Sequence, residues 1–277
     1  MNILEAIRNA RGKYIWLFRT KDYVISETIE SVLEVLKEKS NVSYMTSSCV
    51  DENENPVITY QADETVCAGR DALLRHGRLY IHPSGSIYRR DCIDVDELES
   101  FLIGETDPVT FIYLCSLMRL CCALKGDFFL MEKVTWIYTN TAKSRVISGN
   151  ANNNAKKGFI YDPKLSYMRY KAEMKYTDRK LSDGKLKEYI FARLFGRYLV
   201  DCTWFLWKGF NDKDFCQHYG IETKTIDMDE ERGKYLEVVN DVEDKYGLVH
   251  AEYYQDLKDK YLNKNTEYCL KLQGDRP

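Results

Sequence analysis

The chain has 277 residues, 44 % of them hydrophobic and 13 % aromatic, which is ample for a buried core in one large domain or two small ones. Its 40 basic and 43 acidic side chains leave a formal charge of -3, which argues against a general nucleic-acid binder. The opening MNILEAIRNARGKY carries no apolar signal-peptide stretch, and no run of about 18 apolar residues occurs, so the chain reads as cytoplasmic, without a standard secretion signal or a membrane span.

Ile3, Leu4 and Ile7 mark one apolar side of a short opening helix, which Gly12 can end. Tyr14 to Phe18 follows as a strand without polar alternation, a pattern suited to cover on both faces in a mostly parallel sheet. The stretch Arg19, Thr20, Lys21 and Asp22 places polar chemistry directly after that strand, where open α/β sheets gather ligands. Ser26 then precedes Glu27 and Glu30, and Ile29, Val32, Leu33 and Leu36 recur at helical spacing, which predicts an amphipathic helix.

Strands are expected at 42–50 and, beyond the turn cluster DENENP, at Val57 to Tyr60. The segment YIHPSGSIYRR, residues 80–90, combines turn chemistry at Pro83 and Gly85 with a small strand at Ser86 to Tyr88. Pro108 is placed to open the apolar helix PVTFIYLCSLMRLCCAL, because proline suits the first helical turn, and FFLMEKVTWIY reads as a further strand. Nine cysteines form no C-x-x-C pair, and Cys115, Cys121 and Cys122 sit in apolar runs as small buried thiols; reduced cysteines are the expected state.

The polar segment SGNANNNAKKG divides the chain into residues 1–147, a linker at 148–158, and a helical region at 159–277 with helices near 184–209, 229–246 and 250–262. The first of these mixes Lys185, Lys187, Arg193, Arg197 and Lys208 with Phe191, Phe195, Trp204, Phe205 and Trp207. Such a helix either docks peripherally on anionic lipid at the inner face of the membrane or packs its aromatic residues into a core or against a partner.

The sequence NILEAIRNARGKYIWLF, the aspartate at 22, the loop HPSGSIYRRD and the acidic turn GETDPVTFIYL together resemble family 2 glycosyltransferases of the GT-A fold, over about residues 1 to 140. The resemblance implies a Rossmann-like, mostly parallel sheet and transfer of a sugar from a nucleotide diphosphate donor to a glycan or lipid-linked acceptor, often in surface-polysaccharide assembly. It implies Asp22 as the residual contact to a divalent ion, Mg²⁺ or Mn²⁺, or to the diphosphate, and Asp107 or Glu105 as the base that deprotonates the acceptor hydroxyl. Thr20, His82, Gly85, Ser86, Arg89 and Arg90 are the accompanying substrate-binding candidates; an arginine can neutralise a departing diphosphate with two parallel hydrogen bonds.

Two departures qualify these expectations. The family's Asp-x-Asp reads Thr20, Lys21 and Asp22 here, so one of the two expected carboxylates is missing and any metal is expected to be weakly held. A Lys21 pointing inward, about 4 Å from a divalent ion, costs on the order of 8 kcal/mol at an effective dielectric near 20; in an extended segment Lys21 points away from the side shared by Thr20 and Asp22, and a one-carboxylate site survives. The βα units that hold base and ribose in the family cannot fit ahead of residue 1 at roughly 30 residues each, so the chain reads as truncated. The face of Ile3, Leu4 and Ile7 and the sheet edge are then expected to need cover from an upstream-encoded chain, a second copy or the C-terminal helices. A silent, transferase-derived subunit that binds a partner chain or a glycan is the competing reading. Asp22 could also serve only as a turn or cap residue, and Glu105 and Asp107 could merely favour a helix N-terminus.

Overall fold

The computed structural model describes residues 3–76, 79, 83–104, 114–139, 163–211, 228–248, 254–256 and 258–264. The chain forms two compact units, Met1–Ala142 and Lys143–Pro277. The expected linker at 148–158 lies outside the described residues.

In chain order the first unit holds α1 (Ile3–Asn9), β1 (Tyr14–Leu17), β2 (Tyr23–Val24), α2 (Ile29–Glu38), β3 (Val42–Asp51), β4 (Pro56–Ile58), β5 (Glu64–Val66), α3 (Arg70–His76), β6 (Ser86–Arg89), α4 (Val95–Gly104), α5 (Leu114–Lys125) and β7 (Asp127–Tyr138). The strands form one sheet in the order β1-β6-β3-β7-β2, with β4 on β3 and β5 on β7. At its centre β3 and β7 run parallel from Val42 beside Asp127 to Asp51 beside Tyr138. The other described pairings, β1 with β6, β2 with β7, β3 with β4, β3 with β6 and β5 with β7, are all antiparallel. The sheet is therefore mixed, which corrects the expectation of a mostly parallel one. Continuous apolar character carries no information about strand direction.

Period-two alternation sorts the central side chains. Met45, Ile87, Phe129 and Met131 pack with Val32 and Leu36 of α2 on one face. On the other, Tyr44 lies 5.3 Å from Tyr88 and 4.9 Å from Phe128, ring centre to ring centre, and the Tyr88 hydroxyl donates to the Cys115 carbonyl of α5 at 3.2 Å. Ser26 does not cap α2; residues Ser26–Thr28 form a 3-10 turn, whose Thr28 hydroxyl donates to the Ile25 carbonyl at 2.6 Å.

β1 ends the strand order and is half-buried along its length, unlike the fully covered strand its sequence suggests. Leu4 and Ile7 of α1 are buried, and α1 packs on α4. Arg8 bridges the two helices to Asp96 at 2.8 Å and Glu99 at 2.9 Å. Cover for Leu4 and Ile7 thus comes from within the chain.

The second unit contains α6 (Pro163–Lys180), α7 (Gly184–Asn211) and α8 (Met228–Tyr246), of which α6 was not anticipated. Its core is built on tyrosines: Tyr170, Tyr176, Tyr198, Tyr235 and Tyr254 are fully buried. Buried hydroxyls need partners, and Tyr198 donates to the Pro163 carbonyl at 3.1 Å while Tyr170 donates to Asp201. Phe191 and Phe195 of α7 are buried in this unit; the side chains of Trp204, Phe205, Trp207 and Lys208 lie outside the described ones. Among the described residues no helix is long and apolar enough to cross a membrane.

Candidate functional site

Three chain segments meet at one end of the sheet: the turn after β1, the turn before β6 and the last residues of β7. The turn after β1 closes when the Asp22 amide donates to the Arg19 carbonyl at 3.1 Å. Across from it, the Arg19 amide donates to the Ser84 hydroxyl at 2.8 Å, and the Gly85 amide donates to the Leu17 carbonyl at 3.2 Å. Gly85 has φ +76, and a β-carbon there would fall 2.1 Å from Nε1 of Trp136, so its lack of a side chain lets the β6 turn close against β7.

Asp22 is the centre of this cluster. Its Oδ2 accepts from Arg19 Nε at 2.7 Å and from the Ser84 hydroxyl, and its Oδ1 accepts from Arg19 Nη2 at 2.7 Å and from the Thr139 amide at 3.0 Å. A carboxylate offers about four acceptor positions, so its capacity is filled. Burial alone would raise the Asp22 pKa, but the Arg19, Ser84 and Thr139 hydrogen bonds and the Arg19 charge outweigh it and hold the group below the ordinary carboxylate range. The Arg19 pKa stands above its usual value: burial works against the charge and Asp22 more than restores it. The guanidinium also lies over the Tyr138 ring, 4.7 Å from its centre. Nearby, burial first and the Asp22 charge with it push the Cys49 thiol up to about 12, so this cysteine is no thiolate nucleophile at neutral pH.

The Asp22 side chain has no exposed surface, whereas that of Arg19 is 28 % exposed. What the cluster presents to solvent is therefore a fixed cation and not a carboxylate. A divalent ion needs free carboxylate oxygens, and those of Asp22 are already engaged by Arg19, Ser84 and Thr139. Among the described residues no group of three His, Cys, Asp or Glu could hold a metal. The donor set around Asp22 does not fit the Mg²⁺ or Mn²⁺ that the GT-A resemblance implies.

The remaining candidates separate. Thr20 is exposed in the turn beside Asp22, and Gly85 adjoins Ser84. Ser86 turns into the core, where it shares a hydrogen bond with the Tyr44 hydroxyl at 3.2 Å. Arg89 and Arg90 lie at the far end of β6, about 13 Å or more along the strand from Gly85. There Arg89 pairs with Asp91 at 2.8 Å, and Arg90 donates to the Ala10 carbonyl at 2.8 Å, so neither reaches the Asp22 cluster. His82, Glu105 and Asp107 lie outside the described residues. Sequence reasoning gave no role to Ser84 or the Thr139 amide, and it did not pair Arg19 with Asp22, although the three-residue spacing is a signal for such a pair. An open groove lined by Ser31, Glu34, Glu38, Asp63 and Lys133 contains none of these residues.

The mixed α/β fold, with its polar cluster at the carboxyl ends of β1 and β7, resembles that of a solved glycosyltransferase. The solved structures it resembles include residues 1–349 of TarS from S. aureus, with a TM-score of 0.52 at 14 % identity, over 98 % of this chain and 70 % of that one. The same TarS segment in complex with UDP-GlcNAc gives a TM-score of 0.56 at 13 % identity, over 98 % of this chain and 69 % of that one. No protein-family model and no curated protein matches the sequence.

Proposed function

We propose that this chain transfers a sugar from a nucleotide diphosphate-sugar to a glycan or lipid-linked acceptor, in the assembly of a surface polysaccharide. The observation that carries the reading is the convergence of Arg19, Asp22, Ser84 and Thr139 at one sheet end of a fold resembling TarS, whose structure was solved with UDP-GlcNAc. In this reading Asp107 or Glu105 deprotonates the acceptor hydroxyl, and Thr20 and Gly85 border the donor. The saturation of Asp22 favours a second reading, a silent subunit that binds a glycan or a partner chain.

Release of the nucleotide diphosphate from a panel of nucleotide-sugars, UDP-GlcNAc among them, separates the two. Donor binding with turnover supports transfer; neither donor binding nor turnover with any acceptor supports the silent subunit. Where turnover occurs, Asp107→Asn or Glu105→Gln is expected to lower kcat by about 10²-fold or more, the usual scale for a general acid–base group. Near-wild-type rates in both variants remove the acidic turn from the mechanism.

A further inference from the structure

We infer that the guanidinium of Arg19 takes the place of the divalent cation, so that this chain binds the diphosphate of its donor without metal; the inference rests on the nucleotide-sugar reading above. Three observations meet in it. First, the carboxylate that would hold the ion has no acceptor position left, because two oxygens already receive Arg19 Nε and Nη2, the Ser84 hydroxyl and the Thr139 amide. Second, the cation that fills the position is held on two sides, by the Asp22 carboxylate and by the Tyr138 ring. A guanidinium fixed this way has lost most of its rotamer freedom before any ligand arrives, which lowers the entropic cost of binding. Third, the charge is adequate. A divalent ion held by two carboxylates is neutral overall, whereas Arg19, Lys21 and Asp22 together carry one net positive charge. Where the resemblance places the first aspartate of Asp-x-Asp, this chain has Thr20 flanked by the cations Arg19 and Lys21.

The hydrogen-bonding geometry agrees. Asp22 engages the Nε and Nη2 edge of the guanidinium, so the rest of the fork is directed away from the carboxylate, and the side chain as a whole is 28 % exposed. A phosphate oxygen approaching from solvent meets those remaining N–H groups in the arrangement arginine uses for phosphates. The proposal involves binding alone, with no bond made or broken.

The test is calorimetric titration of the full chain with UDP, once in EDTA and once with Mn²⁺. Binding in EDTA, changed less than about threefold by Mn²⁺ and weakened at least tenfold by Arg19→Ala, is the expected result. Because Arg19→Ala strands a buried carboxylate, Arg19→Gln, which retains a hydrogen bond to Asp22 without the charge, is measured beside it, with thermal melts of both. Arg19→Gln is expected to lose UDP binding while melting as a folded protein. UDP binding seen only with Mn²⁺ overturns the replacement of metal by Arg19 and leaves the nucleotide-sugar reading standing. Binding in EDTA that a folded Arg19→Gln retains in full also overturns the replacement. No binding under either condition overturns both.

Discussion

Asp22 shows how one side chain's environment decides its chemistry. A carboxylate with no exposed surface survives as an anion only because four donors surround it. Asp22→Asn, which keeps the shape and loses the charge, is expected to cost about 1–3 kcal/mol at neutral pH, discounted for the partial exposure of Arg19. The sign of the pH dependence follows from the lowered pKa. Stabilisation by Asp22 is fully present above its unfolded value near 3.8 and is lost as pH falls through the lower folded value. Urea melts should therefore show the gap between wild type and Asp22→Asn narrowing below pH 3.8; a gap constant from pH 7 to 2 would contradict the ion pair. Asp22 was legible in the sequence as a polar residue after an apolar strand. Its partners were not, because Ser84 and Thr139 lie 62 and 117 residues away, and no local pattern encodes such distances.

At the scale of elements, legibility follows the length and burial of each segment. β3 and β7 are long strands, of ten and twelve residues, and could be placed from sequence. β2 and β5 have two and three residues, too few to show a period. α6 opens with Pro163, a start signal in the sequence, but its many Lys, Arg and Tyr residues blur the apolar stripe. The direction of β6 was also hidden: its turn geometry depends on Gly85, whose left-handed conformation and contact with Trp136 belong to tertiary structure. Gly85→Ala should reveal this dependence. The added methyl must displace an indole ring that is wholly buried, in a backbone conformation alanine disfavours, and a loss of about 2–4 kcal/mol is expected. A thermal melt within 1 °C of wild type would show that the turn relaxes freely.

The whole molecule is a pair of units with dissimilar interiors. Met1–Ala142 is organised around an aliphatic and aromatic sheet core, and Lys143–Pro277 around buried tyrosines on helices. Each has its own core, which is the physical requirement for folding alone. Residues 1–142 expressed by themselves are expected to give a single cooperative urea transition and a mixed α/β circular dichroism spectrum; a non-cooperative, gradual loss of signal would show that the first unit depends on the second.

The parallel pairing of β3 with β7 also sets a timetable. Val42 meets Asp127 across the centre of the sheet, and the 84 residues between them must be synthesised before the first of these hydrogen bonds forms. At about 5–20 residues per second, β3 waits roughly 4–17 s for β7, with β4 and β6 as its earlier partners. Asp22 waits longer, since the amide of Thr139 arrives 117 residues after it. Early in that interval the carboxylate that ends with no exposed surface has Arg19, three residues before it, as its local partner, and Ser84 follows 62 residues after it. The site closes last, and its completion marks the moment at which the first unit has become a finished fold.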